Sequence, residues 1–476
     1  MRTSGHSQLD KPLSLAADAA PAPSPGWRSV LGKAIAANGI LLLAGVLYTS
    51  VLALAWGSAS AGALIFHFAA YASAPLLLTG ADQLALRFGS GQSTASDARL
   101  FTGLLVVKLL VGLLIVLAVG VALSRYEAAG NGPWPFQLSL MVHAGLAPLA
   151  NAWAARVLLI HGRHRDQLAV ELGYLLLCSL WTWVASRTLA RDPLTGLAAG
   201  LAAISVASLA VRLALLARRQ PRLARRMRQQ LRQPLHCLGA IATPTHWHYF
   251  WPMSFTAVSG FIKDAFPVIA VGVGATTGVL AEFRLLQQAF RSAAGLIPEA
   301  MEWARPSFRR ALRTDPALFA RGYRRWARSC LVLTMLAALG LCAVASAMLP
   351  LLGLSFGNGI FWCAAILGVD LIAASALQIE YQVYVLRERI AALAGLSALR
   401  QVLTIATSWL LVDSFGPAGV AAGLAIGTVC AWAGFMWLAW RQQLRAPADL
   451  LESALLLLAA SGLLITAAWW TSPWIR

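Results

Sequence analysis

Residues 279–298 read VLAEFRLLQQAFRSAAGLIP, a run that is apolar at both ends yet carries Glu282, Arg284, Gln287, Gln288 and Arg291. Successive residues of an α-helix turn by about 100°, so Arg284, Gln287, Gln288 and Arg291, at i, i+3, i+4 and i+7, form one narrow face with Glu282 on the other side. Lys263 and Asp264 lie in the preceding apolar run, and Lys108, Asp370, Gln378, Glu380 and Gln382 place polarity in others. Two chemistries suit this set. In a water-filled cavity the basic face, with Lys263, attracts an anion, while Asp264, Glu282 and Asp370 bind coupling cations or hold the arginines in place. Alternatively the charges pair between helices, for instance Lys263 with Glu282, and only register them. Lys263 and Asp264 themselves, as sequence neighbours, point in different directions and are not expected to pair.

Other chemistry finds little support. The histidines of THWHYFW, residues 245–251, are two apart and diverge on a helix, and the surrounding aromatics suit a membrane interface better than a metal site. GSGQSTAS, residues 89–96, lacks the lysine of a phosphate-binding loop, and no HExxH, GxSxG or zinc-type Cys/His spacing occurs. Cys178, Cys237, Cys330, Cys342, Cys363 and Cys430 are scattered without metal or redox spacing. No catalytic residue, metal or cofactor is expected.

The elements that must position the polar residues are membrane helices. The chain of 476 residues is 59% hydrophobic and 12% charged, where a soluble domain carries about 25% charged residues. Apolar windows of roughly twenty residues number about thirteen, six between residues 37 and 217 and seven between 249 and 471. Within such windows each mid-bilayer arginine costs about 2.5–3.5 kcal/mol, so the Arg284 face must meet water or protein rather than lipid.

The net charge of +19 follows the loops. Arg218, Arg219, Arg222, Arg225, Arg226, Arg228 and Arg232 follow the sixth window without an acid among them, and Arg305, Arg309, Arg310, Arg313, Arg321, Arg324, Arg325 and Arg328 follow the eighth. The opposite loops hold only Arg125, Arg187, Arg191 and Arg476. The positive-inside rule then places the N-terminus in the cytoplasm, and the basic runs serve topology and anionic phospholipids rather than nucleic acid. The expected organisation is a disordered cytoplasmic tail (1–36), an N-terminal six-helix bundle (37–217), a basic cytoplasmic linker (218–248), a C-terminal six-helix bundle (249–440) and an additional C-terminal helix (441–476).

Two stretches carry a family resemblance. WGSASAGALIFHFAAYASAPLLLTGADQLALRF has a turn with Gly57 and Gly62 and a helix closing on Gly80, Asp82 and Arg87. YFWPMSFTAVSGFIKDAFPVIAVG has Pro252 near its start and Asp264 within, and a polar helix follows it. Over roughly residues 30–440 the chain resembles bacterial polysaccharide-unit flippases of the multidrug/oligosaccharidyl-lipid/polysaccharide exporter superfamily.

The resemblance implies an all-α polytopic membrane protein of about 12 to 14 transmembrane helices in two six-helix bundles around a central cavity. It also implies transport, by alternating access, of an undecaprenyl-pyrophosphate-linked glycan across the inner membrane. Arg284 and Arg291 would bind the diphosphate, Gln287 and Gln288 the sugar or phosphate, and a polysaccharide polymerase and glycosyltransferases would be partners. A thirteenth span departs from the twelve or fourteen more usual in the family. A multidrug exporter of the same superfamily and a membrane polymerase are the competing readings; a basic site disfavours the first, and short outer loops such as LLGLSFGNG disfavour the second.

Overall fold

The computed structural model describes residues 27–89, 93–125, 133–189, 192–239, 241, 243–244, 246, 250, 258–274, 277–295, 297, 308, 316–351, 358–386, 390–442 and 447–471. All regular structure among them is helical, as the composition requires. Arg305 and Pro252 lie outside the described residues.

The first half comprises α1 (Trp27–Tyr71), α2 (Ser73–Leu77), α3 (Thr79–Phe88), α4 (Ala95–Ser124), α5 (Trp134–Leu140), α6 (Ala147–Ile160), α7 (His164–Thr188) and α8 (Pro193–Arg219). A π-helical turn, Met141–Leu146, joins α5 to α6. The first two apolar windows form one helical run broken at Gly57, whose φ of 74° and ψ of 156° are open to glycine and costly for any other residue. No atom lies within 4 Å of where a Cβ would sit, so backbone conformation rather than crowding demands glycine there. Because α1 starts at Trp27, residues 27–36, expected in the disordered tail, are helical.

The basic linker also folds, into α9 (Pro221–Gln230) and α10 (Pro234–Gly239). Leu223 and Met227 of α9 join the cluster containing Leu100, Phe101 and Leu104 of α4, while Arg222, Arg225 and Arg228 stay exposed. Arg226 Nη1 donates to the Ser93 carbonyl at 2.7 Å.

The second half holds α11 (residues 258–264), α12 (Phe266–Gly274), α13 (Thr277–Ala294), α14 (Pro316–Leu351), α15 (Asn358–Leu386), α16 (Ile390–Arg441) and α17 (Pro447–Thr471). Like α1, α16 is two spans merged across a break, here Gly416 at φ 55° followed by Pro417, which suits the first turn of the next helix. Its two limbs pack closely at Gly427, where a Cβ would collide with Thr404. The halves meet where α1 packs against α12 and α13. The helix bearing Arg284 and Arg291 therefore lies at the junction of the two halves.

Candidate functional site

The site is built on a helix break. Pro267 has no N–H to offer the Lys263 carbonyl four residues earlier, and its ring crowds that carbonyl. The helical run accordingly breaks at Ala265, between α11 and α12. A freed carbonyl inside a membrane protein must find another donor, and α13 supplies it. Gln287 Nε2 donates to the Lys263 carbonyl at 2.9 Å and lies 3.5 Å from that of Asp264. Arg284 Nη1 donates to the Asp264 carbonyl at 3.2 Å and to Gln287 Oε1 at 2.8 Å.

Two turns beyond Arg284, Arg291 forms an ion pair with Asp264 Oδ2. The pair is lopsided: the Asp264 side chain is 6% exposed and that of Arg291 is 41% exposed. Asp264 Oδ1 is buried and has no hydrogen-bond partner among the described residues. Arg291 sits in the last turn of α13, where a cation also meets the negative end of the helix dipole. Because α13 packs against α1, α12, α14, α15 and α16, its accessible guanidinium is an opening in a helix otherwise buried among neighbours.

Lys263 extends the cluster. Its ammonium makes no ion pair among the described residues, and it feels the charges of Arg400, Asp370, Asp264 and Arg291. Thr428 bridges the far side, donating to Asp370 Oδ1 at 2.6 Å and accepting from Arg400 Nη2 at 2.5 Å. Among the described residues, the cations Lys263, Arg284, Arg291 and Arg400 thus outnumber the carboxylates Asp264 and Asp370.

Of the residues singled out from sequence, Lys263, Asp264, Arg284, Gln287, Arg291 and Asp370 come together. Gln288 does not: at the edge of the polar face, it turns toward α1, where a Cβ on Gly45 would sit 3.1 Å from its amide nitrogen. Glu282 is buried on the opposite side, with no hydrogen bond or ion pair among the described residues. The Lys263–Glu282 pair is therefore not formed; the interhelical pair is Arg291 with Asp264. Sequence reading missed Arg400, Thr428 and Pro267. The first two carry no local signal, but the stretch KDAFP places a helix breaker three residues after an intramembrane acid, and that was readable.

It also missed a second polar cluster, in the first half. Arg212 of α8 is 2% exposed. Its Nε donates to Gln167 Oε1 at 3.1 Å, its Nη1 to Asn151 Oδ1 at 2.6 Å and to Ser208, and its Nη2 pairs with Glu171. Asn151 Nδ2 reaches the Ser205 carbonyl at 3.1 Å, and the Ser205 hydroxyl lies 2.7 Å from Nδ1 of His143, which sits in the π-helical turn. Separately, Lys108 and Asp82 form a buried pair at 2.6 Å between α4 and α3.

No protein-family model matches the sequence, and no curated protein matches it either. Solved structures share the fold. The lipid II flippase MurJ in an inward closed conformation aligns with a TM-score of 0.61 at 12% identity, over 94% of this chain and 100% of that one. An inward-facing multidrug resistance MATE family transporter of the MOP superfamily aligns at 0.59 and 15% identity, over 86% and 95%. A MOP superfamily transporter from Pyrococcus furiosus, reported to have a binding pocket of reverse polarity, aligns at 0.51 and 14%, over 88% and 96%. The chain is a multi-pass membrane protein with the fold of MOP superfamily transporters.

Proposed function

We propose that the chain is a carrier, not an enzyme, and that it flips undecaprenyl-pyrophosphate-linked oligosaccharide repeat units from the cytoplasmic to the periplasmic leaflet of the bacterial inner membrane. It works by alternating access and serves exopolysaccharide, capsule or O-antigen synthesis, as in lipopolysaccharide. One observation carries this reading: an excess of cations at the junction of the halves, with the Arg291 guanidinium accessible. Guanidinium forks bind phosphate oxygens in pairs, so Arg284 and Arg291 are suited to a diphosphate headgroup. Gln287 orients the Arg284 guanidinium through Oε1, Lys263 is the neighbouring cation, and Gln288 is suited to the glycan on the side facing α1. The fold shared with a lipid II flippase supports a lipid-linked substrate.

The fold is shared equally with multidrug transporters, which supports export of small molecules as the second reading. The cluster's charge separates the two, since an excess of arginine and lysine repels cationic drugs and attracts phosphate. Polymerases and glycosyltransferases of the same glycan are the partners this role calls for. Replacing Arg284 and Arg291 together by alanine should abolish surface polysaccharide in a strain that depends on this chain, while immunoblotting finds the protein in the membrane at normal level. Normal polymer from that variant contradicts the assignment.

A further inference from the structure

The basic face of α13 divides its labour. Arg284 and Gln287 fasten α13 to the helix break through backbone carbonyls, at 3.2 Å and 2.9 Å. Those bonds register the two helices without help from the Asp264 side chain. The Arg291–Asp264 pair, one to two turns farther along, is therefore not needed as a fastener, and its geometry is poor for one. One carboxylate oxygen is buried and unbonded among the described residues, and the guanidinium is open over a large part of its surface. A buried ion pair must satisfy its remaining lone pairs to recover the cost of desolvation, and this one leaves Oδ1 unsatisfied.

We infer that the Asp264 carboxylate is a resident counter-ion: it occupies the Arg291 guanidinium while the carrier is empty and yields it to the substrate's phosphate. Asp264 is then a positioning residue that acts through Arg291. An empty carrier with bare arginines would hold a strong local field and bind any passing anion; the internal carboxylate lowers that field. It also sets a threshold, because only an anion with more charge than one carboxylate displaces it. A diphosphate meets that condition and a lone carboxylate does not. On displacement the carboxylate remains within electrostatic reach of Lys263, which has no ion-pair partner of its own among the described residues. The swap thus trades one guanidinium–anion contact for another and leaves no buried charge alone.

The inference rests on the anion-carrier reading above. Its test is equilibrium dialysis of radiolabelled inorganic pyrophosphate against the full chain in nanodiscs, for the native protein, Asp264→Asn, Arg291→Gln and the double variant. Removing the competitor should tighten pyrophosphate binding by about tenfold or more in Asp264→Asn, and Arg291→Gln should abolish that gain in the double variant. General relief of negative charge would tighten binding with or without Arg291, so a gain that persists in the double variant overturns the counter-ion role. Pyrophosphate bound by the native chain equally or more tightly than by a folded Asp264→Asn overturns the counter-ion role alone. No pyrophosphate bound by any variant overturns the anion-carrier reading, and the counter-ion role with it. Thermal melting reports folding independently. If Asp264→Asn fails to fold, Asp264→Ser removes the same charge with less bulk and carries the same expectation.

Discussion

Arg212 and Arg291 are both membrane-helix arginines paired with a carboxylate, one in each half of the chain, and they are treated in opposite ways. All three nitrogens of the Arg212 guanidinium donate, to groups on α6, α7 and α8, and the side chain is sealed. Lys108 and Asp82 are equally enclosed, at 0% and 3% exposure. Arg291 has one carboxylate oxygen and an open flank. Saturation is what separates a charge that registers helices from one that waits for a ligand: a satisfied guanidinium has nothing left to offer, and a partly open one keeps free donors for an incoming anion.

That contrast can be broken by measurement, and its largest stability effect belongs to the sealed pair. Lys108→Met leaves Asp82 buried and uncompensated and should lower unfolding stability by about 3–5 kcal/mol, read as a fall in melting temperature in nanodiscs. Adding Asp82→Leu should recover most of it, because an apolar pair of similar volume is close to neutral. Next comes the pair of arginines. Arg212→Leu should cost about 2–3 kcal/mol, less than the sealed lysine because the Glu171 side chain is 36% exposed and water can reach it. Arg291→Gln leaves the Asp264 carboxylate buried but still near the Arg284 and Lys263 charges, with a glutamine amide in place of the guanidinium, and should cost about 1–2 kcal/mol, while transport collapses; equal melting shifts for the two would erase the distinction drawn here. The smallest effect is expected at Gly45→Ala. The new methyl meets only the end of the flexible Gln288 side chain, and the gain in helix propensity offsets the crowding, so stability should move by no more than about 1 kcal/mol. Any transport loss in that variant would then place Gln288 in the site.

Much of this was legible in the sequence, for reasons tied to particular residues. Hydropathy marks membrane helices because no other solvent tolerates such runs, and the 3.6-residue period gathers Arg284, Gln287 and Arg291 without any knowledge of their neighbours. The same arithmetic puts Gln288 nearly in line with them, yet a turn of some 40° at the edge of a face is enough to deliver it to α1. Partnerships between helices are beyond such arithmetic. Nothing local says that Asp264 rather than Glu282 meets Arg291, or that Thr428 joins Asp370 to Arg400 across the two limbs of α16. Arg212 and Glu171 looked unremarkable near the ends of their windows, and only packing turns them inward. Trp27 as the start of α1 was hidden because hydropathy reports the bilayer, whereas helices continue past it.

The central claim, that the second half's arginine face is wet and the first half's arginine is sealed, is met most directly by thiol accessibility. With the native cysteines replaced by alanine, Arg291→Cys and Arg212→Cys are exposed in inside-out vesicles to a membrane-impermeant thiosulfonate. Rapid modification at position 291 with none at position 212 is the predicted result. An inert cysteine at position 291, or equal reaction at both, contradicts the account and returns the Arg291–Asp264 pair to ordinary helix registration.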